Sequence, residues 1–366
     1  MSMATTILRS RALNALTSPH GVDRYLELVN PMWAANEVRA RLVDVRREVD
    51  VPGTPPVATL TFQPTSTWRG HRAGQYVQLG VEIDGARRTT RCFTVSSPDS
   101  RPGDRFTVTL RANPDGLVSK YLVEQASPGQ IVHLSQAEGE FVLPDHVPDH
   151  IVFITGGSGI TPAMSMLRSL QRRTHRGRIT FLHYAQSPEH QIFRDELAEI
   201  ATTGYGIDLH LVYPEAGGPG AERLNRRSFT PMELERLVPD FRTVDTWACG
   251  PAGLIEKVQA AYDGSDKLRV EYFKTPAVSN GSAEGDITFT RAGTTAANSG
   301  TTLLEQAEAA GLTPTFGCRM GICFSCTATK KEGTVRNVLT GETSSLPDED
   351  IRICVSSPEG DCAVEL

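Results

Sequence analysis

Cysteines near the C-terminal end have the number and spacing to hold a metal cluster. Three of them fall in one short stretch, "GCRMGICFSC", and a fourth follows later. These cysteines are Cys318, Cys323, Cys326 and Cys354. A cluster of two irons needs four thiolates, together with backbone N–H groups turned toward the sulfurs. Gly317 and Gly321 would let the loop fold that tightly.

The order C-x4-C-x2-C…C is the plant-type ferredoxin spacing for a [2Fe–2S] cluster. Zinc is the alternative metal, but zinc sites usually present two C-x2-C-like pairs, and here the second half is one lone cysteine. A disulfide framework is disfavoured, because seven cysteines spread over a long chain suit a reducing compartment. Cys362 competes with Cys354 as fourth ligand. We prefer Cys354, which follows the strand-like "IRI", and expect Cys362 and Cys92 to be packing residues.

A second set of residues could bind a flavin. The stretch "RCFT" ends a predicted strand and contains Arg91, Phe93 and Thr94. These supply a cation for the phosphates, an aromatic face for the ring and a small hydroxyl near N5. Further along, "GLVSKYL" predicts a helix whose first backbone N–H groups bind a phosphate. The residues expected at that turn are Gly116, Leu117, Val118 and Ser119.

A third motif, "TGGSGITP", directly follows the apolar run "HIVFI" and precedes a predicted helix. Glycines in such a turn let the backbone approach a diphosphate closely, and Pro162 suits the first turn of the helix. The residues expected to bind a nicotinamide nucleotide there are Gly156, Gly157, Gly159 and Thr161.

A fourth motif, "CGP", ends another predicted buried strand and comprises Cys249, Gly250 and Pro251. At the carboxyl edge of a sheet this thiol could lie against a nicotinamide ring. We predict Cys249 and Thr94 as the catalytic residues, which touch the two reacting rings.

The segment after the second buried strand, "HYAQSPEHQIFRDEL", bears on the choice of nucleotide. No acidic residue stands at the strand end to hold a ribose 2′-hydroxyl. Ser187 and Arg194 could instead meet a 2′-phosphate, with Arg226 as a helper, although Glu189 is near. We therefore predict NADPH rather than NADH.

The elements around these motifs indicate several domains, as expected for 366 residues. Short runs with period two, such as "QYVQLGVEI" and "RFTVTLRA", predict an antiparallel β-barrel. Beyond His150, apolar runs alternate with helical segments, which indicates a doubly wound parallel sheet. A Pro/Gly/Ser-rich linker then precedes a small α+β unit. The predicted domains are an N-terminal extension (1–36), a flavin-binding barrel (37–145), an NAD(P)-binding domain (146–273), a linker (274–285) and a [2Fe–2S] ferredoxin domain (286–366).

The hydropathy pattern and the net charge argue against several classes of protein. No apolar run is long enough to span a bilayer, and the start lacks a signal-peptide pattern. The net charge of −6 argues against nonspecific nucleic-acid binding. From Asp286 to Leu366 there are eleven acidic and six basic side chains, a net charge of −5. The acidity therefore belongs to the unit that holds the cysteine loop.

Together these motifs resemble the ferredoxin–NADP reductase superfamily, with a ferredoxin domain fused at the C-terminus as in oxygenase and desaturase reductases. The resemblance covers residues 37–366. It implies FAD rather than FMN, and a path from NADPH through FAD and the cluster to an acceptor. Two features depart from the family: the chain continues past Tyr272 and Phe273 instead of ending on an aromatic residue, and Cys92 stands inside the flavin motif.

The acceptor implied by the resemblance is a membrane-bound diiron fatty-acid desaturase. The domain order and the stretch "SPHGVDRYLELVNPMW" look like actinobacterial desaturase electron-transfer partners. The alternatives are the reductase of a soluble ring-hydroxylating oxygenase, with FMN, and a redox-sensing flavo-iron–sulfur protein.

The location expected for the protein is cytoplasmic, with recruitment to a membrane surface. Its start is rich in arginine and poor in acid, which is also typical of organellar transit peptides. We favour instead a helix that packs on its own domain or on a partner.

Overall fold

The structure is a computed structural model that describes residues 21–83, 88–114, 116–203, 206–214, 228–273, 283–317, 319–321 and 323–366. The chain forms two compact units, Met1–Glu271 and Tyr272–Leu366. The first contains two sheets and the second contains one. In the described part of the chain, no helix has the length and hydropathy that crossing a bilayer would require.

The first sheet has six strands in the spatial order β4-β3-β6-β1-β2-β5. The strands are β1 (Val38–Val49), β2 (Val57–Pro64), β3 (Tyr76–Val81), β4 (Thr89–Thr94), β5 (Phe106–Arg111) and β6 (Ile131–Leu134). Helix α1 (Gly21–Val29) precedes them, and α2 (Leu117–Glu124) lies between β5 and β6. Every pair with a defined register is antiparallel.

The core of this sheet follows the alternation seen in the sequence. Val77, Leu79 and Val81 are buried on β3, as are Phe106 and Val108 on β5. The prediction of an antiparallel sheet is confirmed, but a closed barrel is not detected. Among the described residues, the segment just after β4 meets β5 through the Val95–Val108 bridge and a hydrogen bond from the Ser96 N–H to the Thr107 carbonyl at 2.8 Å. No register pairs β4 itself with β5, so closure along the length of these strands is not detected.

The second sheet has the order β11-β10-β7-β8-β9. Its strands are β7 (His150–Gly156), β8 (Arg178–Tyr184), β9 (Ile207–Val212), β10 (Asp245–Gly250) and β11 (Leu268–Tyr272). The pairs β10–β7, β7–β8 and β8–β9 are parallel. The helices are α3 (Ile160–Arg172), α4 (Arg194–Thr203), α5 (Pro231–Leu237) and α6 (Ala252–Ala261). Short 3₁₀ turns lie at Gly157–Gly159, Pro188–His190 and Phe241–Thr243.

Strands of this sheet are apolar without alternation because both faces are covered. Six of the seven residues of β7 are buried, and the same holds for β8. Parallel strands connected by helices require this double cover. The predicted doubly wound sheet is confirmed.

Helix α1 is fixed to the first sheet through two buried charged side chains. The carboxylate of Asp23 accepts backbone N–H groups from Ala35 and Asn36. The buried guanidinium of Arg39 donates to the Trp33 carbonyl at 2.6 Å and lies 3.2 Å from a Glu27 carboxylate oxygen. This start of the described chain therefore packs on its own domain.

The second unit is a small mixed sheet in the order β13-β12-β17-β14-β15, with β16 paired to β14. Its strands are β12 (Asp286–Phe289), β13 (Thr294–Ala297), β14 (Thr327–Asn337), β15 (Thr343–Ser344), β16 (Glu349–Arg352) and β17 (Ser356–Val364), and its helix is α7 (Leu303–Ala309). Only β12–β17 is parallel among the registered pairs. A separate apolar core includes Ile287, Phe289 and Ile353.

Candidate functional site

The glycine turn after β7 has no room for side chains at two of its positions. A Cβ on Gly159 would lie 2.2 Å from the Cys249 carbonyl oxygen, and a Cβ on Gly156 would lie 2.9 Å from Pro251. Gly157 has a φ of +55°, in the left-handed region that glycine adopts without strain. The chain then enters α3 at Ile160, so the first N–H groups of the helix face the turn.

Two motifs that are distant in sequence therefore meet at one edge of the second sheet. Cys249 is paired in register with Thr155 on neighbouring parallel strands, so both strands end at the same edge. We call residues 156–162 and 249–251 the nucleotide corner. An edge at the carboxyl ends of parallel strands, beside a helix N-terminus, is where diphosphate groups bind in such folds.

Polar side chains beneath the nucleotide corner bond to one another and to the turn, although Nε2 of the buried His183 has no hydrogen-bond partner among the described residues. Thr161 donates to the Ser158 carbonyl at 3.0 Å, which holds the turn closed. Thr155 is 2.8 Å from Nδ1 of His183, which is fully buried. Burial lowers the pKa of His183 to about 3, so the ring is neutral under ordinary conditions. These groups support the turn from below.

Cys249 is buried, and burial raises the pKa of its thiol well above the usual range, with Glu271 adding to the effect. Glu271, on β11 beside β10, is also buried, and burial raises its pKa to about 8. Its Oε2 has no hydrogen-bond partner among the described residues. The prediction from sequence missed Glu271. The signal was an acidic residue inside the apolar run "RVEYF".

The flavin motif lies on β4, the edge strand of the first sheet. Arg91 and Phe93 are paired across from Leu79 and Val77 of β3 and are half-buried, whereas Thr94 is buried. Arg91 donates to the Thr90 carbonyl at 2.8 Å. Helix α2 packs beside both β4 and β5, so the structure brings the two predicted flavin segments together.

The turn into α2 has the predicted glycine for a steric reason. A Cβ on Gly116 would lie 2.5 Å from the Ser119 hydroxyl. That hydroxyl accepts from the Asn113 N–H at 3.2 Å and donates to the Gly116 carbonyl. Ser119 and Val118 are buried, whereas Leu117 is exposed. Ser119 thus shapes the turn, and the first N–H groups of the helix have no partner within the helix itself.

A row of polar contacts on α3 joins the second sheet to the segment directly after the flavin motif. Ser165 donates to the Ser97 carbonyl at 2.6 Å, and Ser169 accepts from the Asp99 N–H at 2.9 Å. Arg168 donates to the Ser96 carbonyl. The prediction from sequence missed this contact: the two serines four residues apart in "AMSMLRSL" share a helix face but do not identify a partner. The helix that begins at the nucleotide corner therefore fixes the chain that follows Thr94.

Ser187, predicted to meet a 2′-phosphate, lies in the turn after β8. Its hydroxyl donates to a Glu189 carboxylate oxygen at 2.6 Å and lies 2.8 Å from His190. The hydrogen bond from Ser187 lowers the pKa of Glu189, and the Arg194 cation contributes. The structure thus places a carboxylate on Ser187, within range of the Arg194 charge, where the sequence predicts a 2′-phosphate. Arg226, the predicted helper, lies outside the described residues.

The loop 317–326, which we call the cluster loop, carries three of the predicted cysteines. Of these, Cys318 lies outside the described residues. Cys326 and, beyond the loop, Cys354 are buried, and Cys323 is partly exposed. The Gly321 N–H donates to the Cys354 sulfur at 3.3 Å, and a Cβ on Gly317 would lie 2.7 Å from the Cys323 sulfur.

These contacts fit a thiolate cluster, which requires N–H groups directed at sulfur and backbone close to the ligands. Cys362 instead lies inside the sheet on β17, paired with Ile287, and burial raises its pKa to about 11. The geometry favours Cys354 as fourth ligand. Among the described residues, no group of three His, Cys, Asp or Glu side chains is placed to hold a metal ion, and Cys318 of the predicted ligand set lies outside them.

Comparisons with known proteins agree with this arrangement. The oxidoreductase NAD-binding domain family matches residues 153–260, and the 2Fe-2S iron-sulfur cluster binding domain family matches residues 288–359. An NADPH oxidoreductase of Mycobacterium tuberculosis is 39% identical over 360 residues, covering 96% of this chain and 90% of the relative. A stachydrine N-demethylase reductase subunit of Rhizobium meliloti is 30% identical, covering 86% and 94%.

Among solved structures, phthalate dioxygenase reductase matches with a TM-score of 0.59 at 19% identity, covering 90% of this chain and 97% of that one. At that identity the match shows the shared fold. With the similarity of whole chains and the two matched domains, it confirms the expected flavin, nucleotide and [2Fe–2S] modules. The chain belongs to the ferredoxin–NADP reductase family, as an NAD(P)H oxidoreductase with a flavin domain and a C-terminal [2Fe–2S] domain.

Proposed function

We propose that this protein takes electrons from NADPH and passes them through FAD and its [2Fe–2S] cluster to a terminal oxygenase-type enzyme, a membrane-bound diiron acyl-CoA desaturase. When bound, the flavin accepts a hydride and releases electrons singly, and the cluster carries one electron at a time. The observation that carries the proposal is the meeting of the glycine turn with Cys249 at the edge of the second sheet.

The proposed division of roles follows the domain boundaries 37–145, 146–273 and 286–366. Arg91 and the first turn of α2 would hold the flavin phosphates, with Phe93 against the ring and Thr94 near N5. Gly156, Gly157, Gly159 and Thr161 would seat the nucleotide diphosphate. Cys249, held as a neutral thiol by burial, would lie against the nicotinamide without carrying charge. The cluster ligands would be Cys318, Cys323, Cys326 and Cys354.

The choice of NADPH rests on Ser187 and Arg194, and on a 39%-identical relative that bears the name NADPH oxidoreductase. The Glu189 carboxylate on Ser187 opposes it, because a carboxylate at this place suits a ribose hydroxyl better than a phosphate. Comparing kcat/KM for the two nucleotides decides the point. Arg194→Gln should lower kcat/KM for NADPH and leave that for NADH unchanged. A wild-type preference for NADH would overturn this part of the proposal.

The desaturase as acceptor is supported by whole-chain resemblance and by the −5 charge of residues 286–366, which would steer that unit toward a basic surface. Cytosolic loops of membrane proteins are commonly rich in Lys and Arg. Membranes containing the candidate desaturase, supplied with NADPH and this protein, should convert a saturated acyl-CoA to the monounsaturated product. Turnover should fall as salt rises.

The second candidate is the reductase of a soluble oxygenase. It is favoured by the relative that serves stachydrine demethylation and by the fold of phthalate dioxygenase reductase. Turnover with a soluble oxygenase, without turnover in desaturase membranes, would replace the first candidate. Chromatography of the heat-released flavin adds a second criterion, since FMN would also support the reductase of a soluble oxygenase. Slow, unsustained oxidation of NADPH with an artificial acceptor would instead indicate a redox sensor.

The proposed electron path is tested with Cys323→Ser, which removes one of the proposed cluster ligands. It should abolish the visible absorbance of the cluster and turnover of the acceptor, while NADPH-to-ferricyanide activity persists in the separate first unit. Cys362→Ser is the control, because Cys362 lies in the sheet core and should leave the cluster spectrum in place. Zinc at one equivalent, with no visible absorbance, would contradict the proposal.

A further inference from the structure

Phe324 occupies a costly position in the cluster loop. It lies between Cys323 and Cys326, its side chain is 65% exposed, and its φ is 55°. A bulky residue in the left-handed region is a genuine outlier, and an exposed aromatic ring loses the free energy that burial would supply. The turn accounts for the backbone conformation, because the Phe324 carbonyl accepts from the Thr327 N–H at 3.1 Å and from the Thr327 hydroxyl at 2.7 Å. That turn does not account for the exposure of the ring, which stands beside the predicted cluster ligands.

The ring of Phe324 is also held in one orientation. The Arg352 guanidinium carbon lies 4.8 Å from the ring centroid, and the same guanidinium donates to the Gly321 carbonyl. Gly321 in turn donates its N–H to the Cys354 sulfur. A short chain of contacts therefore ties the exposed ring to the cysteines. A ring fixed in advance loses little conformational entropy when a partner covers it.

We propose that Phe324 is the apolar anchor on which the protein acceptor docks. The partner is a protein that presents an apolar pocket bordered by basic side chains. The proposal rests on the proposed function only in that a protein takes electrons from this loop. Buried aromatic side chains at the centre of an interface commonly carry much of its binding free energy.

Acidic side chains that would meet the basic groups of such a partner lie on and just before the strand of Arg352. Asp350 lies two residues before Arg352 on β16, or about 7 Å along the strand. Asp348, just before that strand, is exposed and paired with Lys331 at 3.0 Å, so Asp350 and the net charge of −5 of the unit supply the acidity. Acidic groups at the rim accelerate encounter with a basic surface, whereas a central anchor sets how long the complex lasts. The acidic groups should therefore affect mainly the association rate, and the Phe324 ring mainly the dissociation rate.

The test uses the holoprotein, NADPH and cytochrome c as a basic protein acceptor with an exposed haem edge. Phe324→Ala should raise KM for cytochrome c about tenfold and leave kcat little changed, because the cluster itself is intact. Reduction of ferricyanide should be unaffected. The matched control is Leu346→Ala, which removes an equally exposed apolar side chain outside the cluster loop and should leave KM for cytochrome c unchanged.

Two further variants keep the result decisive if Phe324→Ala disturbs the cluster spectrum. Phe324→Leu retains an apolar side chain and should preserve most of the affinity. Phe324→Gly relieves the positive φ, should bind the cluster at least as well, and should still show the raised KM.

The proposal is overturned if KM is unchanged in all three Phe324 variants with intact spectra, or if Leu346→Ala raises it equally. It is also overturned if cytochrome c reduction survives Cys323→Ser, or if wild type forms a dimer that Phe324→Ala dissociates. Failure of wild type in desaturase membranes, with the Phe324 dependence intact for cytochrome c, would remove the desaturase but leave the anchor in place.

Discussion

In the nucleotide corner, backbone packs directly on backbone: the turn at Gly159 lies against the carbonyl of Cys249, with no space for a Cβ. In the cluster loop, the described residues instead include non-glycines in the left-handed region, Arg319 and Phe324, with Gly321 between them. In the nucleotide corner, neighbouring strands determine the conformation of the glycine turn. The cluster loop has a backbone conformation that its own residues disfavour, and the cluster would stabilise that conformation when it binds.

This difference predicts different responses to substitution. In the nucleotide corner, adding one methyl group should disrupt the packing of two strands, whether or not a nucleotide is present. In the cluster loop, the cost should be smaller, and it should appear mainly as loss of the cluster. The following substitutions test that difference, beginning with the largest expected effect.

The largest effect is expected for Gly159→Ala. Its Cβ would meet the carbonyl oxygen and carbon of Cys249 at 2.2 and 2.5 Å, and backbone cannot move aside cheaply. We expect a loss of about 3 kcal/mol or more in the free energy of unfolding of the first unit, with KM for NADPH raised.

Denaturant unfolding followed by flavin fluorescence measures this loss. Gly253→Ala is the matched control, because Gly253 has open space around its Cβ position and an ordinary φ on α6. It should be neutral or slightly stabilising. Equal stability of the two variants would show that the contact at Gly159 is looser than the structure indicates.

The second effect concerns the buried carboxyl of Glu271. Because its pKa is raised to about 8 in the folded protein, the folded state keeps a proton that the unfolded state releases above its ordinary pKa near 4.5. This contribution to stability is complete below pH 4.5 and is lost as pH rises toward 8. The free energy of unfolding should therefore fall by at most about 1.4 kcal/mol per pH unit in that window.

Glu271→Gln should flatten this dependence, since the amide cannot ionise. Unfolding of the first unit at intervals between pH 5 and 8 measures the slope. Glu365→Gln is the control: Glu365 is partly exposed, and its hydrogen bond from Arg291 lowers its pKa, so it does not titrate in this window. A slope that is the same in wild type and Glu271→Gln would mean that Glu271 is ionised in the folded protein.

The cluster loop is tested by Gly321→Ala. The new Cβ would lie 2.8 Å from the Val355 side chain at a φ of +74°. We expect a loss of about 2 kcal/mol in the second unit and reduced visible absorbance from the cluster.

Gly293→Ala, at a φ of +63° in open space, isolates the cost of the backbone conformation alone and should cost about 1 kcal/mol. The difference between the two variants measures packing against Val355. If both variants lose the cluster equally, the site is sensitive to general loss of stability and not to this contact.

Much of the molecule could be predicted from sequence because its signals are local. Continuous apolar runs predicted the parallel strands, and the position of "TGGSGITP" after "HIVFI" predicted its place at the end of β7. The position of "CGP" after a buried strand predicted its place at the carboxyl edge of the sheet. These predictions needed only period, order and the steric needs of glycine.

What escaped prediction depends on contacts between distant segments. The contact of Ser165 with Ser97 joins elements far apart in sequence, and a serine in a helix gives no sign of its partner. The burial of Glu271 depends on strands that cover it from elsewhere. Closure of the first sheet into a barrel is not detected, and alternation could not have decided it, because alternation identifies strands but not whether the edge strands pair along their length.

The smallest effect compares two helix N-caps, one in each unit. Thr302 caps α7 in a complete capping box: its side chain accepts from the Glu305 N–H, and the Glu305 carboxylate accepts from the Thr302 N–H at 3.2 Å. Thr230 caps α5 with a single contact, accepting from the Glu233 N–H at 3.3 Å.

Thr302→Ala removes the side-chain acceptor of the capping box, so it should lower the free energy of unfolding of the second unit by about 1 kcal/mol. Thr230→Ala should cost the first unit about 0.5 kcal/mol, the low end for a cap. Thermal unfolding of each unit, followed by cluster absorbance and by flavin fluorescence, measures both. Ser in place of Thr should restore each cap, because it keeps the hydroxyl. A larger loss for Thr230→Ala would reverse the expected order and show that the Glu305 carboxylate adds nothing to the cap in the unit that holds the cluster loop.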